Sequence, residues 1–205
     1  MIGILDYGMG NLRSVKNSLD FLFLENTIVS NPEDFKNITH LIIPGVGAFP
    51  EAIENIKNGS FHQPILDFAK EGNPILGICL GMQLLASFGE EVERTAGLGL
   101  IPGRVILMNP KDLTIPHIGW NGLSYLKAHP IFDGVKKGAD LYFVHSYYFK
   151  TENDNNILCE TTYGDKFPSV VVNDLGNVVG MQYHPEKSQK QGLKILENFS
   201  RMEKC

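Results

Sequence analysis

The chain carries only three cysteines, Cys79, Cys159 and Cys205. An odd number at wide spacing excludes a disulfide framework and lacks the paired CxxC spacing of a zinc site, so each is judged alone. Basic residues are not clustered: Lys136-Lys137 is the only adjacent basic pair, in a chain of net charge -5. The electrostatic footprint of phosphate-backbone binding is missing, and no nucleic-acid partner is expected. No apolar run approaches the ~20 residues that span a bilayer. Met1-Ile2-Gly3-Ile4-Leu5 opens the chain without a basic n-region or cleavage site, so no membrane partner and a cytoplasmic location are expected. Internal repeats, low-complexity tracts and linkers rich in Pro, Gly or Ser are also lacking. What is present suits one core: 205 residues, 43% hydrophobic and 20% charged, lie near the averages of a globular domain. We read residues 1–205 as a single domain.

In the N-terminal part, short apolar runs alternate with helical patterns: Ile2–Leu5, Asn11–Leu24, Thr27–Ser30, His40–Ile43, a helical stretch, then Pro74–Ile78 before Leu80–Phe88. This βαβα order predicts a parallel sheet with helices on both faces. Leu41-Ile42-Ile43 and Ile75-Leu76-Gly77-Ile78 are apolar on consecutive positions, as strands covered on both faces require. Beyond about residue 100, Arg104–Met108, Leu141–Phe149, Ile157–Thr162, Ser169–Asn173 and Val178–Tyr183 read as strands with few helices between them, which predicts mixed or antiparallel additions. A last helix, Gln189–Met202, places Leu193, Leu196 and Phe199 on one face. The expected fold is a three-layer α/β/α arrangement around a mostly parallel central sheet.

Gly77-Ile78-Cys79-Leu80-Gly81 follows a buried strand and opens a helix, the strand–turn–helix context of a nucleophile elbow. Small neighbours permit the sharp turn, and the helix start aims unpaired N–H groups at the sulfur. Cys159 falls in a strand pattern and reads as core; Cys205 reads as exposed. A thiol nucleophile needs a base, commonly oriented by a third group. In Tyr183-His184-Pro185-Glu186 a histidine ends a strand and a carboxylate lies two residues on, so that Glu186 can hold one ring nitrogen and leave the other for sulfur. His40, His62 and His129 read as surface or capping residues. His117 and His145 lie in unusual segments that look like pocket or interface pieces, without an assigned role. Pro44-Gly45-Val46-Gly47 follows a strand, and its glycines let the backbone approach a ligand, so it is a candidate source of oxyanion donors. Gly8-Met9-Gly10 lacks both the third glycine of a dinucleotide fingerprint and a Walker lysine, and reads as a tight turn.

With these residues in hand, the chain resembles the class I glutamine amidotransferases, and among them the glutaminase subunits of imidazole glycerol phosphate synthases of histidine biosynthesis. Seven segments carry the resemblance: Asp6–Leu12, Pro44–Phe49, Gly77–Gln83, Gly97–Gly99, His117–Asn121, Val144–Tyr147 and His184–Ser188. It implies that Cys79 attacks the glutamine amide, that His184 shuttles the proton and that Glu186 orients His184. It implies oxyanion donors at Leu80 and, after a peptide rearrangement, Val46. Gly45, Gly47, Gln83, Ser146 and Tyr147 would bind glutamine, and Asn11, Trp120, Asn121 and Lys187 would face a (β/α)8-barrel partner that receives the ammonia. No cofactor and no metal are expected. Where the family usually has a glycine turn after the first helix, this chain has Phe23-Leu24-Glu25-Asn26, and Asn26 is expected to take the left-handed cap.

Three other readings stay open on sequence alone. The chain could donate ammonia to a different synthase, for instance one aminating a surface sugar. It could be a free-standing cysteine hydrolase. It could also be a noncatalytic binding module with an inert cysteine.

Overall fold

The computed structural model describes residues 1–111 and 113–205. Its N-terminal part is β1 (Ile2–Leu5), α1 (Leu12–Phe21), β2 (Asn26–Val29), β3 (His40–Ile43), α2 (Phe49–Asn58), α3 (His62–Lys70), β4 (Ile75–Ile78) and α4 (Leu80–Leu84). There follow β5 (Phe88–Gly89), β6 (Thr95–Ala96), β7 (Gly103–Leu107), β8 (His117–Gly122), β9 (Ser124–Tyr125), β10 (Asp140–His145) and β11 (Tyr147–Thr151). The chain then closes with β12 (Ile157–Tyr163), β13 (Asp165–Val172), β14 (Val178–Met181) and α5 (Gln189–Phe199).

The central sheet has the order β2-β1-β3-β4-β14-β13-β12-β9. Pairing is parallel from β2 across to β14 and antiparallel from β14 to β9. Alternation sends consecutive apolar residues to opposite faces. Leu41 and Ile43 pack with α2, α3 and α4 on one side. Ile42, Leu76 and Ile78 pack with α1 and α5 on the other. The expected layers are therefore present. Two smaller sheets, β11-β7-β5-β6 and β10-β8, extend the C-terminal part.

Three local expectations are corrected. The helix expected over Leu80–Phe88 stops at Leu84, because the incoming segment takes its carbonyls: Leu98 N–H donates to Leu84 O at 2.8 Å and Leu100 N–H to Leu85 O at 2.9 Å. The single strand expected over Leu141–Phe149 divides at Ser146, since β10 pairs with β8 while β11 pairs with β7. His117–Asn121 is part of β8. The left-handed residue after α1 is Phe23, at φ 55, whereas Asn26 already belongs to β2 and points its side-chain amide at Asp20 and Leu24.

Candidate active site

The centre of the site is a turn that the backbone holds under strain. Cys79 joins β4 to α4 at φ 54, ψ -108, a region that L-residues with a Cβ seldom occupy. Close packing enforces it. A Cβ on Gly81 would land on the Ile43 carbonyl oxygen, and one on Gly45 would stand 2.7 Å from Leu80 Cβ and 2.8 Å from Gly81 N. The Pro44–Gly47 segment thus lies directly against the elbow. As the first residue of α4, Leu80 has an N–H without an intrahelical acceptor. The helix behind it has only five residues, so the local N–H groups matter more here than a summed dipole. The Cys79 sulfur lies 3.7 Å from the Val144 carbonyl and 3.8 Å from the Gln182 side-chain amide.

β14 runs beside β4, with Met181 opposite Ile78, and its extension carries His184. His184 is anchored through its main chain: its N–H donates to Tyr142 O at 2.9 Å, and the Ser188 hydroxyl donates to His184 O at 2.6 Å. The Pro185–Lys187 turn returns Glu186 to the ring, Oε1 standing 2.8 Å from Nδ1 with both side chains 1% exposed. Nε2 is buried without a partner of hydrogen-bond geometry among the described residues, and the Cys79 sulfur is the other group, besides Glu186, that bears on this imidazole. Burial pulls the His184 pKa down, but the neighbouring Cys79 sulfur and the hydrogen-bonded Glu186 carboxylate outweigh it and raise the value to about 9. The ring therefore holds its proton at neutral pH.

Val46, Gly47, Cys79, Leu80, Gln83, Glu91, Val144, His145, Ser146 and Tyr147 line a cleft of about 280 Å³. Larger cavities lie at Tyr125–Lys137 and beside α5, without a nucleophile. Of the residues expected to bind glutamine, Gly47, Gln83, Ser146 and Tyr147 line the cleft, and Gly45 lies behind it. The Gln83 amide donates to Tyr147 O at 3.0 Å and to Gln182 Oε1 at 3.2 Å, which fixes the wall. Two residues of the site were not singled out in the sequence. Gln182 stands just before the Tyr183–Glu186 motif, in a strand pattern that gives its side chain no role. Glu91, whose carboxylate accepts the Phe49 N–H at 2.8 Å, sits in an acidic run that resembles a solvated loop.

The unassigned histidines form a buried pair. His145 Nδ1–H donates to Tyr147 O at 2.8 Å, so its Nε2 accepts from His117 Nδ1–H at 3.0 Å. His117 stacks on Tyr163 and Phe143. Burial lowers both pKa values, to about 4 for His117 and about 3 for His145. The pair is neutral scaffolding for the cleft wall.

Trp120 and Lys187 are exposed and both approach the Tyr142 ring. Asn121 instead turns inward, donating to Thr162 O at 2.9 Å. Asn11 heads α1, the helix whose Ser18 touches the Glu186 carbonyl. Cys159 is buried and Cys205 exposed, as expected. Among the described residues there is no group of three His, Cys, Asp or Glu that could hold a metal, and no helix long and apolar enough to cross a membrane.

Comparison with known proteins gives a consistent picture. The family model for glutamine amidotransferase class-I matches residues 3–202. Imidazole glycerol phosphate synthase subunit HisH of Methanosarcina acetivorans is 46% identical over 202 residues, 98% of each chain. The subunit of the same name from Caldanaerobacter subterraneus subsp. tengcongensis is 46% identical over 205 residues, 100% of each chain. Among solved structures, PurLQS from Thermotoga maritima superimposes with a TM-score of 0.78 at 20% identity, over 98% of this chain and 97% of that one. The crystal structure of a glutamine amidotransferase gives 0.73 at 20% identity, over 97% of this chain and 98% of that one. At that identity the last two speak for the fold alone.

Proposed function

The chain belongs to the class-I glutamine amidotransferase family, and from that premise we propose that it is the glutaminase subunit of an imidazole glycerol phosphate synthase. The observation that carries this reading is a cysteine on a strained elbow beside a buried histidine–carboxylate pair. Glutamine enters the cleft with its side-chain amide at Cys79. Its α-ammonium pairs with Glu91, the carboxylate lining that wall, while Gly47, Gln83 and the backbone at Ser146 and Tyr147 hold the rest.

With its proton already passed to His184, the Cys79 sulfur attacks the amide carbon, forming a C–S bond. The resulting oxyanion is held by the N–H of Leu80 and, after the Pro44–Gly47 segment rearranges, by that of Val46. His184 returns the proton to the nitrogen as the C–N bond breaks, and ammonia departs. Water then adds to the thioester with His184 as base, releasing glutamate and restoring the thiol. Glu186 holds the ring and balances its charge throughout.

The ammonia passes to a (β/α)8-barrel subunit, which makes imidazole glycerol phosphate and aminoimidazole carboxamide ribotide. Trp120 and Lys187, exposed beside the turn that carries Glu186, belong to the docking face with Asn11. Asn121 shapes that face from within. The test is glutamate release from glutamine by the chain alone and with its barrel partner and a nucleotide ligand of that partner. Turnover that needs the partner and vanishes in Cys79→Ala is the expected result. Robust partner-independent turnover would mean a free-standing amidase, and none under any condition would mean a binding module. Ammonia transfer to a different synthase would appear as failure to rescue a histidine auxotroph alongside the cognate partner.

A further inference from the structure

Tyr7 follows β1 and is buried beneath the elbow. Its hydroxyl donates to the Pro44 carbonyl at 2.6 Å, the carbonyl with which the Pro44–Gly47 segment begins. A Cβ on Gly45 would lie 2.8 Å from that same hydroxyl, so phenol, glycine and elbow are packed against one another. The other end of the segment is built differently: Gly47 sits at φ 123, where a side chain would be strained and would also run into the Met9 methyl. One end is clamped and the other is free to turn.

We propose that Tyr7 is a positioning residue for the oxyanion hole. By fixing the Pro44–Gly45 peptide it confines any rearrangement to the peptides on either side of Val46, and so sets the Val46 N–H against that of Leu80. This rests on the oxyanion reading given above and adds the device that registers it. Burial, and then the neighbouring Cys79 sulfur, hold the Tyr7 phenol well above its ordinary range, so the hydroxyl remains a donor wherever the enzyme works.

The experiment uses the complex with the barrel partner and compares kcat and KM for glutamine with the rate of Cys79 alkylation by iodoacetamide. Alkylation needs the sulfur but develops no oxyanion. Losing an oxyanion donor outright costs about 10²–10³ in kcat, so a donor kept but no longer registered should cost roughly tenfold in Tyr7→Phe. KM and the alkylation rate should both stay within about twofold, since ground-state contacts and the sulfur are untouched. An unchanged kcat, or a change in KM alone, overturns the proposal. Equal falls in kcat and alkylation overturn it too, by assigning Tyr7 to support of the elbow.

Replacing Tyr7 with 4-aminophenylalanine keeps a donor in place and should bring kcat back to within about threefold of wild type; a tenfold loss in that variant counts against the idea even if Tyr7→Phe fails to fold. Absence of glutamate release by the wild-type complex would instead defeat the underlying functional reading, whatever the Tyr7 variants do.

Discussion

Neighbouring strands in the central sheet, β4 and β14, deliver the proposed nucleophile and the proposed base by opposite means. The parallel N-terminal part supplies Cys79 through a turn held by contacts in which no Cβ fits, at Gly45 and Gly81. The largely antiparallel C-terminal part supplies His184 through hydrogen bonds to Tyr142, Ser188 and Glu186. The difference follows from what each group must do. A nucleophile acting beside backbone N–H donors needs the main chain itself in position, and steric exclusion sets that. A base that alternately holds and gives a proton needs a ring of fixed orientation and tuned affinity, which polar partners set.

Variants at the two strand ends test this contrast most strongly. Cys79→Ala should remove glutamate release by roughly 10⁴-fold or more, with the thermal unfolding midpoint little changed. Glu186→Gln should lower kcat by roughly 10²–10⁴-fold, because the ring loses its orienting partner and charge. In the wild type, the basic limb of kcat/KM should fall near pH 9, where His184 loses its proton; in Glu186→Gln that limb should move down, as a pH-rate profile would reveal. A limb that stays in place would mean that Glu186 does not raise the histidine.

Steric exclusion predicts a stability effect on the other strand. Gly81→Ala should destabilise the fold by about 3 kcal/mol in chemical denaturation, as the added methyl meets backbone. A smaller effect belongs to the histidine pair. His117 and His145 have folded pKa values below the ordinary 6.5, so the stability they contribute is present above pH 6.5 and lost as pH falls through about 4 and then about 3. Replacing His117 with Phe should flatten the decline of unfolding free energy over that range. Far from both strand ends, Phe23→Gly should stabilise by about 0.5–1 kcal/mol, since Phe23 is left-handed and 97% exposed. No gain in the denaturation midpoint would mean that its phenyl ring is engaged.

Much of the site could be read from local pattern because its chemistry is local. The elbow needs glycines within two residues of Cys79, and Glu186 lies two residues from the histidine it holds, so both leave a mark in sequence. The layered fold was legible for a similar reason: doubly covered strands are apolar at every position. What escaped depends on contacts between distant segments. The early end of α4 is imposed by residues 98–101, and the break at Ser146 by the divergent partners β7 and β8. Glu91 enters the site from an acidic segment that gives no sign of it, and Gln182, though two residues from His184, reaches the Cys79 sulfur and Gln83 only through the fold. The left-handed position at Phe23 shows that helix-end geometry can fall on a residue whose side chain does not favour it.

The insertion of β14 beside β4 also bears on synthesis. Those strands are far apart in the chain, and β14 is the last to emerge from a ribosome. A chain stopped before Val178 already has the thiol and the Pro44–Gly47 segment but neither the imidazole nor its carboxylate. On the proposed mechanism, products of translation interrupted before Val178 would leave glutamine untouched, so the cell's nitrogen donor is spent only by copies that carry both strand ends.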